Sequence, residues 1–230
     1  MLDGRWKNDI ERRLQPVGTD LSRAGLTADH LTLVGVVMAV AASVAIANGA
    51  FRASVVLLAA SALPDALDGA VAKASGTASP RGAFFDSVAD RCTDALLLGG
   101  VAWYLSSVGG GRIVLLPFAL LAASMLVSYQ RARAESLGFD ARGGVMERAE
   151  RIVLLGLGLL FDVVLVPVLW VMLVLTAFTA GQRFVKVWRQ AGVPAPPPAP
   201  VPPARPWRRR HARPRARAWR HRARSHRRSR

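Results

Sequence analysis

The run VMERAERIVLLGLGLLFDVVLVPVLW, residues 145–170, decides how many times this chain crosses a membrane. Past its charged first turn it is almost continuously apolar, and Asp162 and Pro167 offer the only break. Read as one long helix it makes five spans and puts the termini on opposite sides. Read as two, roughly 147–163 and 165–187, it makes six.

Working outward toward the N-terminus, four more apolar segments precede it, roughly 30–48, 53–72, 83–106 and 113–135. Each is near the ~20 residues that cross a hydrocarbon layer. Charge placement favours six. With an even number of spans both ends share one compartment, and both ends are basic, which the positive-inside rule assigns to the cytoplasm. The outer connections NGAFR, SSVGGGR and the stretch around Asp162 are then short and poor in charge, while every charged loop falls inside. Five spans would break that sorting.

Residues 5–24 carry Arg5, Trp6, Lys7, Ile10, Arg12, Arg13 and Leu14 with a partial helical period, which reads as a short helix lying on the membrane surface. Gly25 and Thr27 mark a helix stop and a new N-cap. At the other end, PAPPPAPVPP from Pro194 is an extended proline-rich linker. Thirteen arginines and no acid follow between Arg205 and Arg230; removing those thirteen from the net +16 leaves only +3 for the rest of the chain. The tail is expected to be disordered and suited to anionic headgroups; nucleic acid is not the expected partner. The fold class expected is therefore all-α and polytopic: an interfacial segment over 1–26, a six-helix membrane domain over 27–190, and a linker and tail over 191–230.

The 230 residues are 52% hydrophobic, and the mean hydropathy is +0.27 in spite of that tail. Those values exclude an ordinary soluble domain. Cys92 is the single cysteine, which excludes an internal disulfide and a cysteine zinc cluster. The first thirty residues lack a signal peptide's apolar core.

Within this apolar chain, acids stand where Val and Leu belong. PDALDGAVAK places Asp65 and Asp68 at the inward end of the second segment, and FDSVADRCTD places Asp86, Asp90 and Asp94 on the third. Spacings of i, i+3 and i, i+4 put each pair on one helical face. Four bare carboxylates together repel and are costly in a membrane, and divalent cations relieve both problems. Oxygen ligands without His or Cys suit Mg²⁺ or Mn²⁺, which go with phosphate chemistry, and a shared carboxylate would make a two-ion site. Asp94, one turn deeper, is taken as structural. Gly69 and Ala72 make one face of the second segment small, for close approach of a ligand or for helix packing alike.

The pattern Asp65-x-x-Asp68-Gly69-x-x-Ala72-Lys73, then Gly82-x-x-x-Asp86-x-x-x-Asp90, resembles the signature of the CDP-alcohol phosphatidyltransferases. The resemblance covers about residues 25–190. It implies that Asp65, Asp68 and Asp86 hold one metal ion and that Asp65, Asp86 and Asp90 hold a second, with Asp90 taking the acceptor's proton. Gly69, Lys73 and Ser79 would contact the CDP-lipid, as would Asp29 and Thr32 in LTADHLT. Lys73 departs from the family's arginine, keeping the charge and losing the bidentate geometry.

A second constellation concerns the acceptor. Arg131 and Arg133 end the fourth segment, Arg148 and Arg151 open the fifth, and Arg183 lies near the end of the sixth. Converging guanidiniums suit a phosphate-bearing alcohol. RARAExxG and GGxxERxER are similar to phrases of the actinobacterial phosphatidylinositol phosphate synthases. That branch implies CDP-diacylglycerol and 1D-myo-inositol 3-phosphate as substrates, with Arg131, Arg148 and Arg183 on the acceptor's phosphate. It further implies a homodimer, and the charge sorting above puts the active site and both termini on the cytoplasmic side of the cell membrane. A phosphatidylglycerophosphate synthase is the alternative within the family. A proton- or ion-coupled transporter is the alternative outside it.

Overall fold

The computed structural model of the chain describes residue 20, residues 27–75 and residues 79–192, and for residues 65–75 the backbone only. The surface helix expected over 1–26 and the tail expected over 191–230 lie almost wholly outside the described residues.

The described chain is all helical. Its α-helices are α1 (Ala28–Ala47), α2 (Phe51–Ser75), α3 (Pro80–Val108), α4 (Leu115–Ser136), α5 (Arg148–Leu160) and α6 (Leu165–Ala191), with 3₁₀ turns at Gly111–Val114 and Asp162–Val164. Three helical stretches are long and apolar enough to cross a membrane: Ala28–Ala47, Gly111–Ser136 and Asp162–Ala191. Phe51–Pro64 is an apolar stretch below that length.

The ambiguous run is divided where the sequence offered a break. α5 ends at Leu160, Asp162 opens a 3₁₀ turn, and α6 starts at Leu165 with Pro167 inside its first turn, where a missing N–H leaves no helical bond unmade. α5 is nevertheless only 13 residues. At 1.5 Å per residue it is about 20 Å long, short of the ~30 Å hydrocarbon core. The expected start near 147 is right, but the helix stops three residues early because the turn takes over.

Helix starts follow local chemistry. The Thr27 hydroxyl accepts from the His30 amide at 3.3 Å while the Thr27 amide donates to His30 Nδ1 at 3.4 Å, a reciprocal cap. Ser79 caps α3 by accepting from the Gly82 amide at 3.1 Å, with Pro80 in the first turn. Glu147 caps α5, and its amide donates to Glu150 at 3.1 Å.

The helices pack in the cyclic order α1–α2–α5–α6–α4–α3, each against two others. On α1 the buried stripe Thr32, Gly35, Ala39, Ala42 and Ile46 repeats every three or four residues, whereas Val34, Val37, Val40 and Val44 face outward. Hydroxyls and glycines let neighbouring backbones close on α1. Ser43 donates to the Leu96 carbonyl at 2.6 Å, and Ser61 donates to the Gly35 carbonyl at 2.8 Å. A Cβ on Gly100 would lie 2.5 Å from the Ser43 carbonyl oxygen, so only glycine permits that approach.

The apolar core occupies one end of the bundle. It joins Ile46, Leu58, Leu97, Val101, Leu120, Leu155, Leu159, Leu165, Leu169 and Met172, all buried. The starts of α1, α3 and α5 and the ends of α2, α4 and α6 form the opposite end. There the polar residues gather.

Candidate active site

α3 begins at the polar end, so Asp86 and Asp90 face the bundle interior within its first three turns. They line one cleft with Thr32 and Gly35 of α1, Ser61 of α2, Ala89 and Thr93 of α3, and Arg148 of α5. Two floor hydroxyls are turned to backbone: Thr32 donates to the Ala28 carbonyl at 3.1 Å, and Ser61 to Gly35 as above. The cleft's chemistry is thus set by carboxylates facing a guanidinium. Asp86 and Asp90 offer oxygen donors alone, which fits a hard divalent cation. No group of three His, Cys, Asp or Glu residues that could close such a site is present among the described residues.

Asp65, Asp68, Gly69 and Lys73 stand on the last turns of α2, next in chain order before α3; their side chains lie outside the described residues. Asp29 is in the first turn of α1. A Cβ built on Gly82 would meet Asp29 Oδ1 at 3.5 Å and Ser79 Oγ at 3.4 Å, so the start of α3 draws Asp29 and Ser79 together across that glycine.

The cations divide. Arg148, the first residue of α5, gives Nη1 to Asp90 Oδ1 at 3.0 Å, and its Nε lies 3.8 Å from Asp94 Oδ1. Asp94 Oδ2 accepts from Arg151 Nη2 at 2.8 Å. Asp90 also accepts from Arg91 at 3.2 Å. Arg131 is exposed, bonded at 3.1 Å to Glu135 one turn along α4, and does not line the cleft.

Arg183 is turned inward. It is 4% exposed, and its three nitrogens donate to the Gly143 carbonyl at 3.0 Å, the Val127 carbonyl at 3.0 Å and Glu147 at 3.1 Å. The bonds to Gly143 and Glu147 belong to a strap, residues 137–147, that lies along the end of α6, and the bond to Val127 ties Arg183 to α4. The Met146 amide donates to Thr179 Oγ1 at 3.0 Å, and Lys186 donates to Asp140 at 2.8 Å and to the Arg142 carbonyl at 2.9 Å. Gln190 closes the far end by accepting from the Asp140 amide and donating to its carbonyl. Gly144, at φ +148°, sits where a side chain would collide with Thr179. The Lys186 hydrogen bond, helped by the Arg142 amide, holds the Asp140 carboxyl below the usual carboxylate range.

Sequence reasoning reached Asp86, Asp90 and Arg148 and missed Gly35, Ser61 and Thr93 as walls of the same cleft. Nothing in their local sequence distinguishes them from packing residues. It also kept Asp94 and Arg151 apart, although Asp90/Asp94 at i, i+4 and Arg148/Arg151 at i, i+3 were complementary ladders on the page.

A family model for CDP-alcohol phosphatidyltransferase matches residues 25–181. The chain belongs to this family. Among its relatives, the archaetidylinositol phosphate synthase of Methanothermobacter thermautotrophicus is 38% identical over 188 residues, covering 79% of this chain and 91% of that protein. The phosphatidylinositol phosphate synthase of Mycobacterium marinum is 33% identical over 191 residues, covering 79% and 82%. Among solved structures, the phosphatidylinositol phosphate synthase of Mycobacterium tuberculosis with CDP-DAG bound superposes with a TM-score of 0.71 at 30% identity, over 77% of this chain and 94% of that one. The same enzyme in complex with manganese and citrate gives 0.69 at 29% identity, over 76% and 88%.

Proposed function

We propose that this CDP-alcohol phosphatidyltransferase is a phosphatidylinositol phosphate synthase, moving the phosphatidyl group of CDP-diacylglycerol to 1D-myo-inositol 3-phosphate and releasing CMP. One observation carries the acceptor. The relatives differ in the lipid their names carry, archaetidyl or phosphatidyl, yet share inositol phosphate. The cleft supports it, because carboxylates and an arginine meet where a diphosphate and a second phosphate must lie close together.

Asp65, Asp68, Asp86 and Asp90 would hold two divalent ions, Mg²⁺ or Mn²⁺, whose charge would neutralise the diphosphate. Asp29, Thr32, Gly69, Lys73 and Ser79 would seat the CDP-lipid, and the approach of Asp29 and Ser79 to Gly82 supports that reading for those two. The acceptor hydroxyl attacks the lipid-bearing phosphorus, the bond from that phosphorus to CMP breaks, and the hydroxyl proton passes to Asp90. Arg148 would receive the acceptor's phosphate at the cleft, and Arg131, outside its walls, would reach the phosphate only on leaving Glu135. Arg183 would serve it from behind, adding charge while its nitrogens hold Glu147 and the strap.

In this reading all six helices belong to the membrane and the shorter ones are completed by their neighbours. The polar end is at the cytoplasmic face of the cell membrane with both termini, residues 1–26 lie on its surface, and the tail over 191–230 meets anionic lipid. Two chains form a homodimer.

The test is an acceptor panel with purified protein: inositol 3-phosphate, inositol and glycerol 3-phosphate, each with CDP-diacylglycerol and Mg²⁺, reading CMP release. Release with inositol 3-phosphate alone is expected. Release with glycerol 3-phosphate instead reassigns the acceptor, and none with any alcohol favours transport.

A further inference from the structure

Asp90 is asked to do two things at once. In the structure its Oδ1 accepts from Arg148 at 3.0 Å. In the reaction above the same carboxylate holds a divalent ion and receives a proton, while Arg148 belongs to the acceptor's phosphate. Both assignments require this ion pair to open. Something must then hold Arg148 beside the cleft.

Asp94 is placed to do so. Its Oδ1 is 3.8 Å from Arg148 Nε, and its Oδ2 is taken by Arg151 at 2.8 Å, with the Arg151 side chain 8% exposed. α3 and α5 share little backbone packing, so these side chains carry much of the link between them at this end. From the other side, Glu147, next to Arg148, is tied to Arg183 at 3.1 Å. The base of Arg148 is fixed on both flanks, and its outer guanidinium atoms are the part that can change partner.

We infer that Arg148 is exchanged between Asp90 and the acceptor's phosphate, and that Asp94, pinned by Arg151, is the positioning residue that keeps it within reach of both. The inference deepens the proposed synthase reading and rests on it. Before substrate arrives, Arg148 is a counter-charge of Asp90 on Oδ1 while Arg91 takes Oδ2, and a divalent ion bound at Oδ1 has to displace Arg148. A bound acceptor phosphate draws Arg148 away and so favours the ion; by linkage the ion favours the acceptor to the same degree. Asp94 thereby belongs to the coupling between the two and touches neither.

The experiment is a Mn²⁺ titration of the full chain in detergent, followed by electron paramagnetic resonance with no lipid or acceptor present, beside separate KM values. Arg148→Ala removes the cation that competes at Asp90 Oδ1 and should tighten Mn²⁺ about fivefold while weakening the acceptor, a coupling of ordinary size. Asp94→Asn takes away a carboxylate that holds Arg148 back from Asp90: Mn²⁺ should weaken about threefold and the acceptor KM rise about tenfold, with the CDP-diacylglycerol KM within about twofold. Asp94→Glu should restore most of both. Asp94→Asn also strips the buried Arg151 of its partner, so Asp94→Asn/Arg151→Gln, which removes both charges, stands in if the single variant does not fold. The double variant Asp94→Asn/Arg148→Ala should bind Mn²⁺ like Arg148→Ala alone, because a residue acting only through Arg148 has nothing left to act on.

Mn²⁺ affinity unchanged or weakened in Arg148→Ala overturns the exchange. So does an Asp94→Asn variant that raises both KM values equally. A parent chain releasing no CMP with any acceptor would defeat the synthase reading instead, and the Mn²⁺ comparison, which needs no turnover, would still decide this one.

Discussion

The two ends of the bundle hold together by different physics. At one end Leu97, Val101, Leu120, Leu159 and Leu169 interdigitate with no charged partner among them. At the other, helices α3, α5 and α6 and the strap are joined by Arg148, Arg151, Arg183 and Lys186, each bonded to an acid. A packed apolar end tolerates the loss of a few methylenes with a graded cost. At the charged end the buried pairs between α3 and α5 fail more abruptly, because removing one partner strands the other in a low-dielectric setting. The difference teaches where a phosphate site could be built in a chain this apolar: where carboxylates and guanidiniums already compensate one another, as Asp90 and Asp94 do with Arg148 and Arg151.

The largest expected effect tests whether the polar end is chemical as well as structural. Asp90→Asn should lower CMP release about 10³-fold, the scale of a lost general base, with the circular dichroism spectrum unchanged and Arg148 still beside Asp94. Full activity in that variant would refute Asp90 as the proton acceptor. Chelation should stop turnover in the parent and leave its circular dichroism spectrum intact, with recovery on adding Mg²⁺ or Mn²⁺.

Next comes the inward arginine. Arg183→Ala removes the bonds to Glu147 and to the Val127 and Gly143 carbonyls, and because Glu147 is 42% exposed the loss should be that of the hydrogen bonds, about 1–3 kcal/mol of stability, read by thermal unfolding in detergent. If the variant instead keeps its stability and only raises the acceptor KM, Arg183 is a direct phosphate ligand and the strap stands without it.

The apolar end should respond less. Leu120→Ala, buried against α3 and α6, should destabilise by about 2 kcal/mol through the cavity it leaves, while the KM for either substrate stays within measurement error. A large KM change there would mean the two ends are coupled through the core.

The smallest effect belongs to Asp140 on the strap. Its carboxyl is held below the ordinary value in the folded protein, chiefly by Lys186. The stabilisation it lends is therefore complete above the unfolded carboxylate value and disappears as pH falls through the lowered folded one. Asp140→Asn should flatten a slight acid-side loss of melting temperature and change nothing at neutral pH beyond the lost ion pair, which is exposed and screened.

Much of this was legible in the chain. Thr27 as a cap, the break at Asp162 and Pro167, and the facing of Asp86 with Asp90 all follow from local rules: capping geometry, the high cost of charge in hydrocarbon, and a period of 3.6 residues. The sequence alone therefore determined that the protein is helical, where its helices start, and that acids cluster at one level of the bundle. Tertiary structure alone decided that α1, α2, α3 and α5 meet around one cleft, that Asp94 pairs with Arg151, and that Arg183 points into the protein while Arg148 faces the site. The reason is range. A helix period assigns a residue to a face within a few ångströms of its own backbone, but which carboxylate a long guanidinium finds depends on how helices tens of residues apart are packed, and equal charges in a sequence carry no mark of their partner.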